Sequence, residues 1–274
     1  KQLVPALRFK EFDEEWDNYI LKELVSEFIV PMRDKPKKLD GPIPWCRIED
    51  FDGKYLSTSK TGQGVAADIV SDMNLKVYPV GTLLVSCSAN LGFCAITRKE
   101  LITNQTFIGL FPNDNKTSVE FLFYIMRMSS RRLNILSSGT TISYLSRKGF
   151  EQFKVKFPPL PEQQKIASFL SAVDEKIQQL TKKKDLLEQY KKGGLQQLFS
   201  GQLRFKDENG NPYPDWDEKK LGEICDYKNG GSFEKLVVDD GEFNLITLNS
   251  IDINGKLKSN HKKVAETDNS LLEG

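Results

Sequence analysis

The chain has 274 residues, enough for one large domain or two smaller ones, and a hydrophobic content of 39% excludes a fully disordered polypeptide. Its formal net charge is +1, so global charge names no partner, and a nucleic-acid binder would have to concentrate its basic groups locally. Four cysteines (Cys46, Cys87, Cys94, Cys225) form no Cys-x-x-Cys pair, and one histidine, His261, removes most Ser-His-Asp and Cys-His nucleophile sets and most zinc sites. No signal-peptide core follows Lys1, and no apolar run approaches the roughly 18 residues of a membrane span. A soluble cytoplasmic protein with buried free thiols is expected.

In chain order, residues 16–30 read as a short helix or strand, followed by a charged, Pro-rich loop over 32–42. Arg33, Lys35, Lys37 and Lys38 gather four positive charges in that loop beside two prolines. Such a stiffened basic loop suits phosphate contacts, and a plain solvated loop explains it equally well. Strands are expected over 43–48, closed by the Asp52-Gly53 turn, and over 80–86, 93–97 and 107–111. Ser86, Ser88 and Asn90 offer polar groups where one of them ends. Thr117-Ser118-Val119-Glu120 reads as a capping box before a helix over 121–128 that continues past Arg131-Arg132. The polar loop 137–144 carries Ser138, Thr140, Thr141 and Tyr144, whose hydroxyls suit phosphates or base edges. Phe153, Val155 and Phe157 alternate as a closing strand that Pro158-Pro159 ends. Strands dominate with helices at intervals, so the domain over 1–158 is α+β.

The longest periodic stretch covers 160–201. Ile166, Phe169, Val173, Ile177, Leu180 and Leu187 follow in steps of three and four, with Lys184 at the skipped position, which places them on one helical face. Pro161 suits a first turn and Glu162 complements the helix dipole there. Gly193-Gly194 is expected to interrupt the helix, and Gly201 to close a last short turn.

An internal repeat then emerges. Leu-Arg-Phe-Lys, an acidic patch, Trp16-Asp17 and Leu21-Lys22-Glu23-Leu24 recur as Leu-Arg-Phe-Lys, an acidic turn-rich patch, Trp216-Asp217 and Leu221-Gly222-Glu223-Ile224. Arg8 thereby matches Arg204, and Asp50-Phe51-Asp52-Gly53-Lys54 is echoed by Asp252-Ile253-Asn254-Gly255-Lys256. A period of about 200 residues marks duplicated domains rather than a solenoid. The second copy, over 202–274, is expected to be a truncated start, as in a fragment of something nearer two full repeats.

No catalytic constellation stands out. There is no Gly-x-x-x-x-Gly-Lys-Ser/Thr phosphate loop. Asn211-Pro212-Tyr213-Pro214 has the residues of an adenine methyltransferase motif in the wrong order and reads as a turn. Pro214-Asp215 with Glu218-x-Lys220 brings its carboxylates too close in sequence to converge on a metal from successive strands.

Residues 158–170, Pro-Pro-Leu-Pro-Glu-Gln-Gln-Lys-Ile-Ala-Ser-Phe-Leu, followed by Asp174-x-x-Ile177, resemble the boundary of a specificity subunit of Type I DNA restriction-modification systems. Residues 41–50, the strand from Gly81 and Ser138-Gly139-Thr140-Thr141 resemble further motifs of that family. The resemblance implies a mostly-strand target-recognition domain (1–158), a long coiled-coil-like spacer helix (159–201) and the start of a second recognition domain (202–274). It implies a non-catalytic DNA-binding subunit that reads one half of a bipartite double-stranded target. The helical region would dock modification (methyltransferase) subunits, and restriction (motor-nuclease) subunits would join for cleavage. S-adenosylmethionine, ATP and Mg would then be held by partner subunits only, with no cofactor or metal on this chain. Without a second spacer helix, the apolar face of 160–201 is expected to be covered by self-association or by a methyltransferase subunit. Two other classes stay open on the residues alone: a DNA-modifying enzyme in its own right, methyltransferase or nuclease, and a helix-mediated scaffold without DNA contact.

Overall fold

The computed structural model describes residues 7–32, 34–88, 91–137, 144–227, 233–253 and 255–265. The chain divides into two units, Lys1–Lys192 and Gly193–Gly274. The α-helices and strands of its described residues up to Phe199 are, in order, β1 (Asp17–Ile20), α1 (Leu21–Leu24), β2 (Val25–Ile29), β3 (Ile43–Cys46), β4 (Tyr55–Leu56), β5 (Gly64–Val65), α2 (Ala67–Asp72), β6 (Leu83–Ser86), β7 (Cys94–Thr97), β8 (Ile102–Thr103), β9 (Phe107–Pro112), α3 (Val119–Met128), α4 (Ser130–Ser137), α5 (Arg147–Glu151), β10 (Lys154–Phe157) and α6 (Leu160–Phe199).

The first unit is built on a five-stranded sheet of order β2-β9-β6-β7-β4, antiparallel except where β4 runs parallel to β7. Successive side chains of a strand face opposite sides. Leu83, Val85, Cys94, Ile96, Ile108 and Leu110 accordingly enter one hydrophobic cluster, while Leu84, Ala95 and Phe107 enter another. Both faces are covered, which is why these strands read as unbroken apolar runs rather than as alternating ones. The larger cluster is closed by α1, α3, α4, α5 and β10, with Phe121, Phe123, Phe150, Phe153 and Phe157 buried in it. On the other face Tyr78 packs against β9 at Gly109, where a Cβ would lie 2.5 Å from the Tyr78 ring. A smaller sheet, β5-β3-β8, carries a third cluster of Trp45, Val65, Leu75 and Ile102. β1 pairs antiparallel with β10, Asp17 opposite Phe157, and so ties the start of the domain to the strand that leads into α6.

Three expectations need correction. The helix expected to run past Arg131-Arg132 is two helices: α3 stops at Met128, Ser129 caps it with its N–H on the Ile125 and Met126 carbonyls, and α4 starts at Ser130. The capping box at 117–120 does not form. Thr117 is buried and its hydroxyl donates to the Leu24 carbonyl (2.8 Å), so Ser118 alone caps α3, accepting the Phe121 N–H. Gly193-Gly194 does not interrupt α6, which is continuous over 40 residues. Two glycines cost about 1 kcal/mol each in a helix interior, too little to stop a helix already propagating. Gly201 does close it, with φ +76 and its N–H on the Leu198 carbonyl.

In the second unit, β11 (Val237–Val238), β12 (Phe243–Leu245) and β13 (Lys262–Val264) form a sheet of order β11-β13-β12. The sequence repeat is visible as local geometry. Ile48–Asp50 and Leu248–Ser250 are both single 3-10 turns, the Arg47 N–H donating to the Asp50 carboxylate and the Thr247 N–H to the Ser250 hydroxyl. Each is followed by a glycine in the left-handed region, Gly53 (φ +83) and Gly255 (φ +77). The partners differ: Leu21 and Leu24 are buried, whereas Leu221 and Ile224 are exposed.

Candidate nucleic-acid interface

The registers of the large sheet bring separate loops to one end. Ile29 lies opposite Gly109, and Ser86 lies opposite Phe107, so β2 and β6 finish where β9 and β7 begin. Residues 30–32 after β2, Cys87 and Ser88 after β6, and 104–106 before β9 therefore lie at the same end. The Cys87 N–H donates to the Thr106 carbonyl (2.8 Å), and the Leu145 N–H to the Cys87 carbonyl (2.9 Å). Ser88 and Tyr144 form a β-bridge, so the strand end at Ser86 and the loop ending at Tyr144 are joined through their backbones.

The sequence candidates fall into place as follows. Lys35, Lys37 and Lys38 are exposed, while Pro31 and Pro36 between and before them are buried, so the prolines anchor the loop and the lysines face solvent. Ser86 is buried, and its hydroxyl donates to the Ser88 carbonyl (2.6 Å), so it shapes the turn. Ser88 is half-buried and the Tyr144 ring is half exposed. Arg33, Asn90, Ser138, Thr140 and Thr141 lie outside the described residues.

Sequence reading missed the wall beside this end. A cavity of about 430 Å³ is lined by Leu91, Gly92, Phe93, Arg127, Ser130 and Asn134. The Ser130 hydroxyl donates to the Leu91 carbonyl, and Gly92 has φ +87 with its Cα so close to α4 that a Cβ would lie 2.7 Å from Ser130. Arg127 is exposed, its guanidinium 5.5 Å from the Phe123 ring, and among the described residues it has no ion-pair partner. Arg127, Ser130 and Asn134 follow at helical spacing and so share one face across α3 and α4; what the sequence does not show is that Leu91-Gly92-Phe93 packs against that face. Among the described residues there is no cluster of His, Cys, Asp and Glu fit for a metal, and no helix is long and apolar enough to cross a membrane.

The helix signature has a structural meaning. The Glu162 carboxylate is fully buried and accepts from Arg8 Nε (2.6 Å), from the second Arg8 nitrogen (2.5 Å) and from Trp16 Nε1 (3.2 Å). The hydrogen bond to Glu162 raises the Arg8 pKa further. Gln163 is also buried: its carbonyl accepts the Ser118 N–H (2.9 Å) and its amide donates to the Lys116 and Pro158 carbonyls (2.8 and 2.9 Å). Pro-Glu-Gln-Gln is thus the point where the domain seizes the start of α6. Of the six apolar positions, Ile166 packs on the core. Phe169, Val173, Ile177, Leu180 and Leu187 remain 40–57% exposed along one stripe. A second, apolar cavity of about 380 Å³, lined by residues that include Leu7, Phe9, Trp16 and Phe169, opens beside the stripe's first turn.

Residues 13–189 match the family model of the type I restriction modification DNA specificity domain. The chain belongs to that family. It is 28% identical over 242 residues to the type I restriction enzyme MjaIX specificity subunit of Methanocaldococcus jannaschii, covering 82% of this chain and 56% of the relative. It is 29% identical over 216 residues to the MjaVIII specificity subunit of the same organism, covering 75% of this chain and 51% of the relative. The chain thus spans about half the length of the curated relatives it matches. The crystal structure of a type I restriction-modification system S subunit from M. genitalium superposes with a TM-score of 0.52 at 18% identity, covering 92% of this chain and 62% of that one. That likeness establishes the fold: an α+β domain followed by a long helix.

Proposed function

We propose that this chain is the DNA-reading part of a type I restriction-modification complex and catalyses nothing itself. Its first domain reads one half of a split duplex target from the end of the sheet where β2 and β6 finish and Ser88 is bridged to Tyr144, with the basic 32–42 loop and the polar 137–144 loop as the contacting segments. The observation that supports this reading is the bridge between Ser88 and Tyr144, two polar positions far apart in sequence, at the end of β6 next to the wall that carries Arg127, which has no ion-pair partner among the described residues. Lysines position the domain by phosphate contact, and the polar turn at Ser88 and Tyr144 faces base edges. α6 is the spacer, and its apolar stripe is the surface for modification subunits or for a second copy of the chain. S-adenosylmethionine, ATP and Mg belong to the modification and restriction subunits of this cytoplasmic complex.

Methylome mapping in cells that carry this chain with its modification subunit tests the reading. A new methylated bipartite motif that disappears when the chain is deleted is expected. An unchanged methylome, with no duplex retained by the isolated chain in a gel shift, would leave the scaffold reading instead. Methyl-donor binding or metal-dependent cutting by the isolated chain would make it an enzyme.

A further inference from the structure

The domain holds α6 twice. The first hold is at Glu162 and Gln163, described above. The second lies two to three turns along the helix. Lys54 Nζ donates to Ser171 Oγ (2.5 Å), Ser171 donates to the Ala167 carbonyl (2.6 Å), and the Tyr124 hydroxyl donates to the Asp174 carboxylate (2.6 Å). The Lys54 ammonium lies 5.0 Å from the Tyr55 ring centre and 5.4 Å from that of Tyr124. The turn behind it comes close to the helix as well: at Gly53 a Cβ would stand 3.2 Å from Gln178 Nε2.

Lys54 is only 8% exposed, and among the described residues it has no ion-pair partner. Its ammonium is held by one hydroxyl and two ring faces, in a cavity of about 300 Å³ that Asp52, Asp174 and Glu175 also line. These contacts join the turn before β4, α3 and α6 at one point, and so constrain geometry. From Glu162 to Asp174 is twelve residues, about 18 Å of helix at 1.5 Å per residue. One hold on a rod is a pivot, and two holds that far apart fix its direction.

We propose that Lys54, Tyr124 and Asp174 are positioning residues that set the angle between the recognition domain and α6, and with it where a half-target is presented along the spacer. The second part rests on the function proposed above. The full chain carrying Cys225→Ser, Lys99→Cys and Gln189→Cys, spin-labelled at the two introduced thiols and diluted with an excess of unlabelled Cys225→Ser chain so that only distances within one chain are read, reports that angle as a distance distribution. The parent should give one narrow distance. Lys54→Met should broaden it while the thermal midpoint stays level, because the aliphatic stem that fills the site is kept and only the polar hold on the helix is removed. Tyr124→Phe, which deletes a single hydroxyl and keeps the ring, should broaden it too and serves if Lys54→Met does not fold. An unchanged width in both variants overturns the proposal, and so does a lowered midpoint with unchanged width, the mark of a merely stabilising contact. Duplex binding by the parent chain is read in parallel. Its absence would overturn the proposed function and the DNA half of this inference, whereas the distances alone decide the domain–helix half.

Discussion

Cys46, Cys87 and Cys94 are buried, and burial pushes their thiols up to about 12, about 11 and about 12 respectively. Thiolate is the reactive form, so these three are inert near neutral pH, and Cys225, exposed, is the thiol a reagent meets. Thiol titration of the native chain should show one fast-reacting group and three that react only on unfolding; a second fast group would place one of the buried cysteines wrongly. Gly92→Ala should destabilise by about 1 kcal/mol or more, because it forces an L-residue into a left-handed turn and against Ser130; denaturant unfolding measures it. At the surface, Lys37→Glu with Lys38→Glu should weaken duplex binding across all sequences and flatten its salt dependence by about one unit of slope per lost phosphate contact. Affinity unchanged at low salt would remove the 30–39 loop from the interface. The lysines were legible in sequence because composition alone marks a basic loop. Arg127 and Lys54 were not. One needs the 91–93 turn packed on α4, the other needs α6 packed against the turn before β4, and both depend on contacts distant in sequence.

Elements were legible where their signal is local. Long apolar strands and the periodicity of α6 showed in sequence, as did the alternation of Phe153, Val155 and Phe157. Two-residue strands such as β4, β5 and β8 carry no period, and β1 exists because it pairs with β10 about 140 residues later in the chain. The glycine pair in α6 misled because intrinsic preference is a weak prior against a helix with tertiary holds at its start. That pair makes a test: no atom outside the helix's own nearby backbone lies within 4 Å of a Cβ at Gly193 or Gly194, so alanine there should raise stability by ~0.5–1 kcal/mol per site and increase helical circular dichroism. A loss of helicity would mean the helix breaks there in solution. Phe157→Ala, which empties a fully buried site between β10 and α3, should cost about 3–5 kcal/mol in chemical denaturation.

For the molecule as a whole, the stripe from Phe169 to Leu187 is the largest regular apolar surface on α6, and exposed stripes of that kind mark contact surfaces. Sedimentation across the micromolar range should show the full chain self-associating, with Ile177→Glu and Leu180→Glu shifting it to monomer. The α+β fold and the long helix after the domain were readable before any coordinates. What sequence withholds is which end of the sheet faces a ligand, since that depends on the pairing of strands far apart in the chain. The decisive experiment is therefore selection from a randomised duplex pool by the full chain, repeated at several salt concentrations. Enrichment of one short motif, with affinity falling steeply as salt rises and lost in the Lys37→Glu, Lys38→Glu variant, is expected. Recovery of no motif, or no retention of duplex at low salt, would refute a DNA-reading role for this domain.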